Sequence, residues 1–250
     1  MCCFSLNVTA VSATRIFARG VNGSQYLVYS MAYEAATDLA MILPIPTPVR
    51  CAETAVRFID LSDYEAFFTD MEKGFPRPLS RSKSLSFELP TLTVHQVGSF
   101  VASFVPHQDN FDRLDPQFRI DPAIWAQIPL YDDYGFAVFQ LKAGAKKVHP
   151  MAFSFPRRNP DELFFPTVHI HHEEVEAEAS FDHILYCQHS QEVPGWEMSH
   201  REPYQPDTTP AQVFMAIDKT KGIVDPDAPL QKLEIVGTFA NQDIILQTAA

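Results

Sequence analysis

Apolar residues along the chain fall in short runs set apart by prolines and polar turns, a pattern that predicts strands far more often than helices. Three runs come early, at residues 15–18, 25–33 and 39–45. The turn between the first two, at 20–24, contains Asn22-Gly23, a pair suited to the left-handed positions of a two-residue hairpin loop. Together the three runs read as an N-terminal meander. The third ends in Leu43-Pro44-Ile45-Pro46-Thr47-Pro48, whose prolines lack the N–H a ladder needs, so an extended exit at a sheet edge is expected. Further strands are predicted at 92–105, 135–141, 151–155, 167–171, 175–187, 211–217 and 233–239, with a long surface loop over 192–210.

Helical spacing occurs twice. Tyr64, Phe67, Phe68 and Met71 share one face, Ser62 and Glu65 form a capping box, and Gly74 and Pro76 stop the run, predicting a helix over 62–73. A shorter helix over 121–128 has Asp121 as cap, Pro122 in its first turn and Pro129 at its end. The expected fold is α+β, mainly antiparallel sheet with two or three packed helices. It forms a single compact domain over residues 1–250, with a subdivision point near 106–120.

Composition narrows the function classes. With 46% apolar and 20% charged residues, the chain has ordinary globular usage and can bury a core. Twenty Phe and twenty Pro against nine Gly indicate aromatic-packed strands whose connections are set by proline. The net charge of -12 opposes phosphate neutralisation, so no nucleic-acid partner is expected. No stretch reaches the roughly 18 apolar residues of a membrane-spanning helix, and a cytoplasmic protein is expected, with a protein partner or a homo-oligomer as the partner classes. The four cysteines, Cys2, Cys3, Cys51 and Cys187, are too scattered for a disulfide framework.

Three groups of residues could carry chemistry. The block from His169 to Glu178 reads as a hairpin turning near His172 and Glu173. That register sets His169, His171 and Glu176 on one face as ligands for Zn, Fe, Mn or Cu, and as the alternative makes them a solvated polar face. His169-x-His171 followed by Glu176 resembles half of a cupin metal motif. On the apolar face of the next strand, His183, Leu185 and Cys187 share one parity, and His183 with Cys187 is either a second ligand or base-thiol pair or plain core. At the N-terminus, removal of Met1 would expose Cys2 as a nucleophile that carries its own base. Cys2 with the later Phe17-Ala18-Arg19 is similar to the start of the choloylglycine and penicillin acylase group, which implies that Arg19 assists the thiol.

A wider resemblance runs through Cys2-Cys3-Phe4-Ser5, Ala13-Thr14-Arg15-Ile16-Phe17-Ala18 and Leu39-Ala40-Met41-Ile42-Leu43-Pro44-Ile45-Pro46. It continues through the aromatic strand at 134–142, the His149-Pro150-Met151 strand to Phe155, and Phe164-Phe165-Pro166. Over about residues 2 to 190 the chain resembles the bacterial family known as domain of unknown function 2330. The resemblance implies a strand layout and draws attention to Cys2 and Cys3, but implies no reaction. The readings carried forward are therefore a transition-metal site, an N-terminal-cysteine amidohydrolase, and a structural or partner-binding protein with neither site.

Overall fold

In the computed structural model, residues 3–77, 101–147, 149–170, 175–202 and 207–247 are described. The first seven strands in chain order are β1 (Cys3–Phe4), β2 (Ala10–Val21), β3 (Ser24–Ala35), β4 (Leu39–Ile45), β5 (Arg57–Asp60), β6 (Val101–Val105) and β7 (Gly135–Leu141). The next seven are β8 (Gly144–Lys147), β9 (Met151–Pro156), β10 (Glu162–Phe165), β11 (Glu178–Gln188), β12 (Glu197–Met198), β13 (Gln231–Ala240) and β14 (Ile244–Gln247). Two short helices, α1 (Phe67–Glu72) and α2 (Pro122–Trp125), and several 3-10 turns complete the described residues. The molecule is β-rich and mainly antiparallel, as the residue pattern predicts.

Strands β1-β4-β7-β6 make a four-stranded sheet, and β12-β13-β11-β2-β3-β9-β5 a larger one in which β8 also pairs with β3. Among these pairings, β11 against β2 is parallel. The inward side chains of both sheets share one core: Ile16, Leu27, Tyr29 and Leu185 from the large sheet meet Met41, Leu43 and Phe139 from the small one. That is sheet-on-sheet packing, and each outer face is covered in part. Helix α1 and the chain from Ala211 to Leu230 pack Phe67, Phe68, Met71 and Ile223 onto Phe17, Val28 and Tyr186 of the large sheet. Each fully buried phenylalanine there contributes on the order of 2 kcal/mol. On the small sheet's far face, Phe111, Phe118, Ile124 and Trp125 cover Ile42, Phe136 and Val138.

The hairpin between β2 and β3 forms at Asn22 and Gly23, both with positive φ (48° and 76°), as the twist of a two-residue loop requires. The meander stops there. β4 leaves for the small sheet, where it lies between β1 and β7. Among the described residues β1 reaches only Met41 and Ile42, so no described strand lies beside Pro44 on that side, where its missing N–H leaves no ladder bond unmade.

The expected helix over 62–73 divides into a 3-10 turn at Ser62–Tyr64 and the shorter α1. Ser62 does not cap it; its own N–H donates to Asp60 Oδ1 at 2.8 Å, and neither the 3-10 turn nor α1 has a side-chain cap. The Asp121 cap holds, accepting the Ala123 N–H at 2.8 Å, but α2 ends at Trp125, before the predicted stop. The run at 211–217 forms 3-10 turns instead of a strand, because Pro210 and the backbone bonds to Ala228 and Pro226 bend it over the sheet. Residues 92–100 of the predicted 92–105 strand lie outside the described residues.

Candidate functional site

β11 alternates strictly at its start: Ala179, Phe181 and His183 are buried while Glu178, Ser180 and Asp182 are exposed. Its inward parity continues through Leu185 and Cys187, as the sequence spacing predicts. His169 reaches the same face from a different direction. It lies on the segment after β10, just before Ile170, which bridges to Cys3. The His169 ring stands 5.3 Å from that of His183, nearly parallel at 25°, and 4.5 Å from Phe181. Both imidazoles are buried, with 2% and 1% exposure.

Burial pushes the His183 imidazole down from 6.5 to about 2, and the neighbouring His169 adds to the effect. Its Nδ1 lies 3.2 Å from the Asp182 backbone N–H, from which it accepts, a role open only to the unprotonated nitrogen. The neutral His183 ring is thus stacked on a second buried imidazole.

The segment carrying His169 is held by side chains from the turn before β14. Asp243 Oδ1 accepts the N–H groups of Thr167 (2.8 Å) and Val168 (3.0 Å), and its Oδ2 accepts the Tyr131 hydroxyl at 2.6 Å. Asn241 accepts the His169 N–H at 2.7 Å and donates to the carbonyls of His169 (2.8 Å) and Glu176 (2.9 Å). Burial raises the Asp243 carboxyl, opposed by these bonds, and drives the Tyr131 hydroxyl far above its ordinary 10. Sequence reading missed Asn241, Asp243 and Tyr131. Asn241 and Asp243 look like turn residues between two strands, and only the fold brings them to residues 167–169.

The structure regroups the candidate residues. Among the described residues, 167–170 form no hairpin with 175–187; β11 pairs with β13 and β2 instead. His169 therefore joins His183, while Glu176 is exposed and His171 lies outside the described residues. His183 and Cys187 share a face but stand four residues apart on an extended strand, about 13 Å, too far to hold one ion. Among the described residues there is no group of three or more His, Cys, Asp or Glu side chains placed to hold a metal ion. Burial raises the Cys187 thiol, which keeps it protonated and unreactive.

Arg19 donates to Asp225 at 3.0 Å and to the carbonyls of Ile223 (3.2 Å) and Gly222 (3.4 Å), which pins the 222–225 turn onto the large sheet. Cys2 lies outside the described residues; its neighbour Cys3 is buried in the small sheet's outer core. A second feature absent from the sequence reading is Lys232, buried on β13 with its Nζ 3.2 Å from Glu72 and 3.3 Å from both Glu197 and Glu234. It also sits 4.8 Å from the Phe75 ring centre.

No family model matches the chain, and no curated protein matches it. Among solved structures it is similar to baculovirus P35, with a TM-score of 0.54 and 12% identity, over 98% of this chain and 100% of that one. It also matches the caspase-8/P35 complex, with a TM-score of 0.43 and 12% identity, over 95% of this chain and 96% of that one. At such identity the likeness is one of fold.

Proposed function

We propose that this chain is a partner-binding protein that acts by engaging another protein, with a caspase as the first partner class to test. The observation that carries the reading is the likeness to P35 from end to end, because P35 is also known in a complex with caspase-8. The local chemistry agrees with it. His183 is held neutral, Cys187 is held as a thiol, and Arg19 and Lys232 are committed to carboxylates of their own fold.

The test is direct binding of the purified full chain to immobilised caspase-8 and to a panel of other caspases, alongside the peptide-cleaving activity of each. Saturable binding that excess free chain competes away supports the proposal. Absence of binding across the panel removes the caspase class. Stoichiometric transition metal in the same preparation would favour the metal-site reading instead.

A further inference from the structure

β13 is flanked on one side by β11 along its whole length, but on the other side β12 reaches only Gln231 and Lys232. From Leu233 to Ala240, no strand among the described residues pairs with that far edge. Natural edge strands are usually blunted by proline, lysine or a bulge. Here the register with β11 runs unshifted from Gln231 to Ala240, the stretch holds no proline, and its lysine is at the paired end. Val236 is 68% exposed and Phe239 is 49% exposed, on opposite faces of the strand. Between them Gly237, at φ +119°, has no side chain to shield the backbone, and a Cβ there would meet only the Phe239 ring at 3.7 Å.

The charge around this edge has one sign to spare. Glu178 and Asp182 of β11 lie on the same outward face as Glu234 and Val236, and Glu176 lies just ahead of β11. Arg77 and the buried Lys232 answer Glu234 and Glu197, whereas Glu176 and Glu178 have no ion-pair partner among the described residues.

We infer that the open edge of β13 takes an extended, basic segment of a protein partner as an added strand. Cations of that strand meet the outward carboxylates, and its alternate apolar residues lie on the Phe239 side. This rests on the reading of the chain as a partner-binding protein and names the surface and the chemistry of what it takes.

The probe is a short acetylated, amidated peptide of alternating lysine and valine, with a glutamate-valine peptide as control. Amide hydrogen exchange and peptide affinity are measured on the full chain and on Val236→Lys, whose exposed site tolerates the change. We expect the basic peptide to slow exchange at 233–240, the acidic one to have no effect, and Val236→Lys to bind about tenfold more weakly. Unchanged exchange at 233–240, equal binding of both peptides, or full affinity in Val236→Lys would each overturn the assignment. So would a concentration-dependent dimer that Val236→Lys abolishes, which gives the edge to a second copy. Caspase-8 binding is measured on both proteins alongside. If it is missing in both while the basic peptide still binds, the caspase reading fails and the edge assignment stands.

Discussion

The two ends of β13 invert the usual expectation of what lies inside a protein. At one end a lysine is buried; a few residues along the same strand, a valine and a phenylalanine lie in solvent. The difference is cover. At the Lys232 end, α1 crosses the outer face and brings Glu72, Phe75 follows it, and β12 brings Glu197, so the ammonium leaves water with three carboxylates and a ring in place of its hydration. At the Val236 end the outer face is open and Val236 is 68% exposed. Burial along one strand is thus decided by what the rest of the chain lays on it.

The largest expected effect is at the covered end. Lys232→Met should destabilise by about 3 kcal/mol, because it leaves Glu72, Glu197 and Glu234 facing one another without their shared cation. The partial exposure of the three glutamates keeps the loss at the lower end of such changes. Urea unfolding measures it, and a change under half a kcal/mol would mean that the carboxylates relax freely into water.

A smaller effect belongs to the inner face of the same strand pair, where His183 lies opposite Ile235 in the β11 and β13 register. Its folded pKa, pushed from 6.5 to about 2, means that the unfolded chain takes up a proton that the folded one refuses as pH falls. The contribution of neutral His183 is complete above about pH 6.5 and declines below it. Between pH 7 and pH 5 it should account for a loss of about 2 kcal/mol. Unfolding curves at both pH values, on the parent and on His183→Leu, isolate it; the same pH slope in both proteins would assign the effect elsewhere.

The smallest effect is expected at the uncovered end. Val236→Lys should leave unfolding free energy within about half a kcal/mol of the parent, as surface changes away from packing usually do. A loss of 2 kcal/mol or more would show that Val236 is covered in solution, and the contrast between the two ends would fail.

The elements legible in the sequence were those fixed by local rules. The runs at 39–45 and 135–141 match β4 and β7, because each is a continuous apolar run between breakers. Asn22-Gly23 gave the hairpin because few residue pairs accept two successive positive φ angles. Asp121 capped its helix because the acceptor and the N–H it satisfies are two residues apart. Ser62 misled because a capping box is only a pattern, and Asp60 offered a competing acceptor two residues upstream.

The candidate site was legible only in part. That His183, Leu185 and Cys187 face inward follows from the two-residue period of a strand, which needs no knowledge of the partner strand. The company of His169 could not be read the same way. A one-residue difference in pairing turns a strand's side chains to the other face, and the assumed hairpin placed His169 with Glu176 on a polar surface. In the fold, Asn241 and Asp243, more than seventy residues away in sequence, hold the segment so that His169 stacks on His183.

By itself, then, the sequence determined the strand-rich class, the alternation within each strand and the turns with special backbone angles, since all of these depend on neighbours in the chain. The tertiary structure alone decided that β4 leaves β3 for another sheet, that β11 runs parallel to β2, and that Lys232 is buried while Val236 is not. Those outcomes depend on which apolar faces meet and which charges find partners once water is excluded, and those pairings span the full length of the chain.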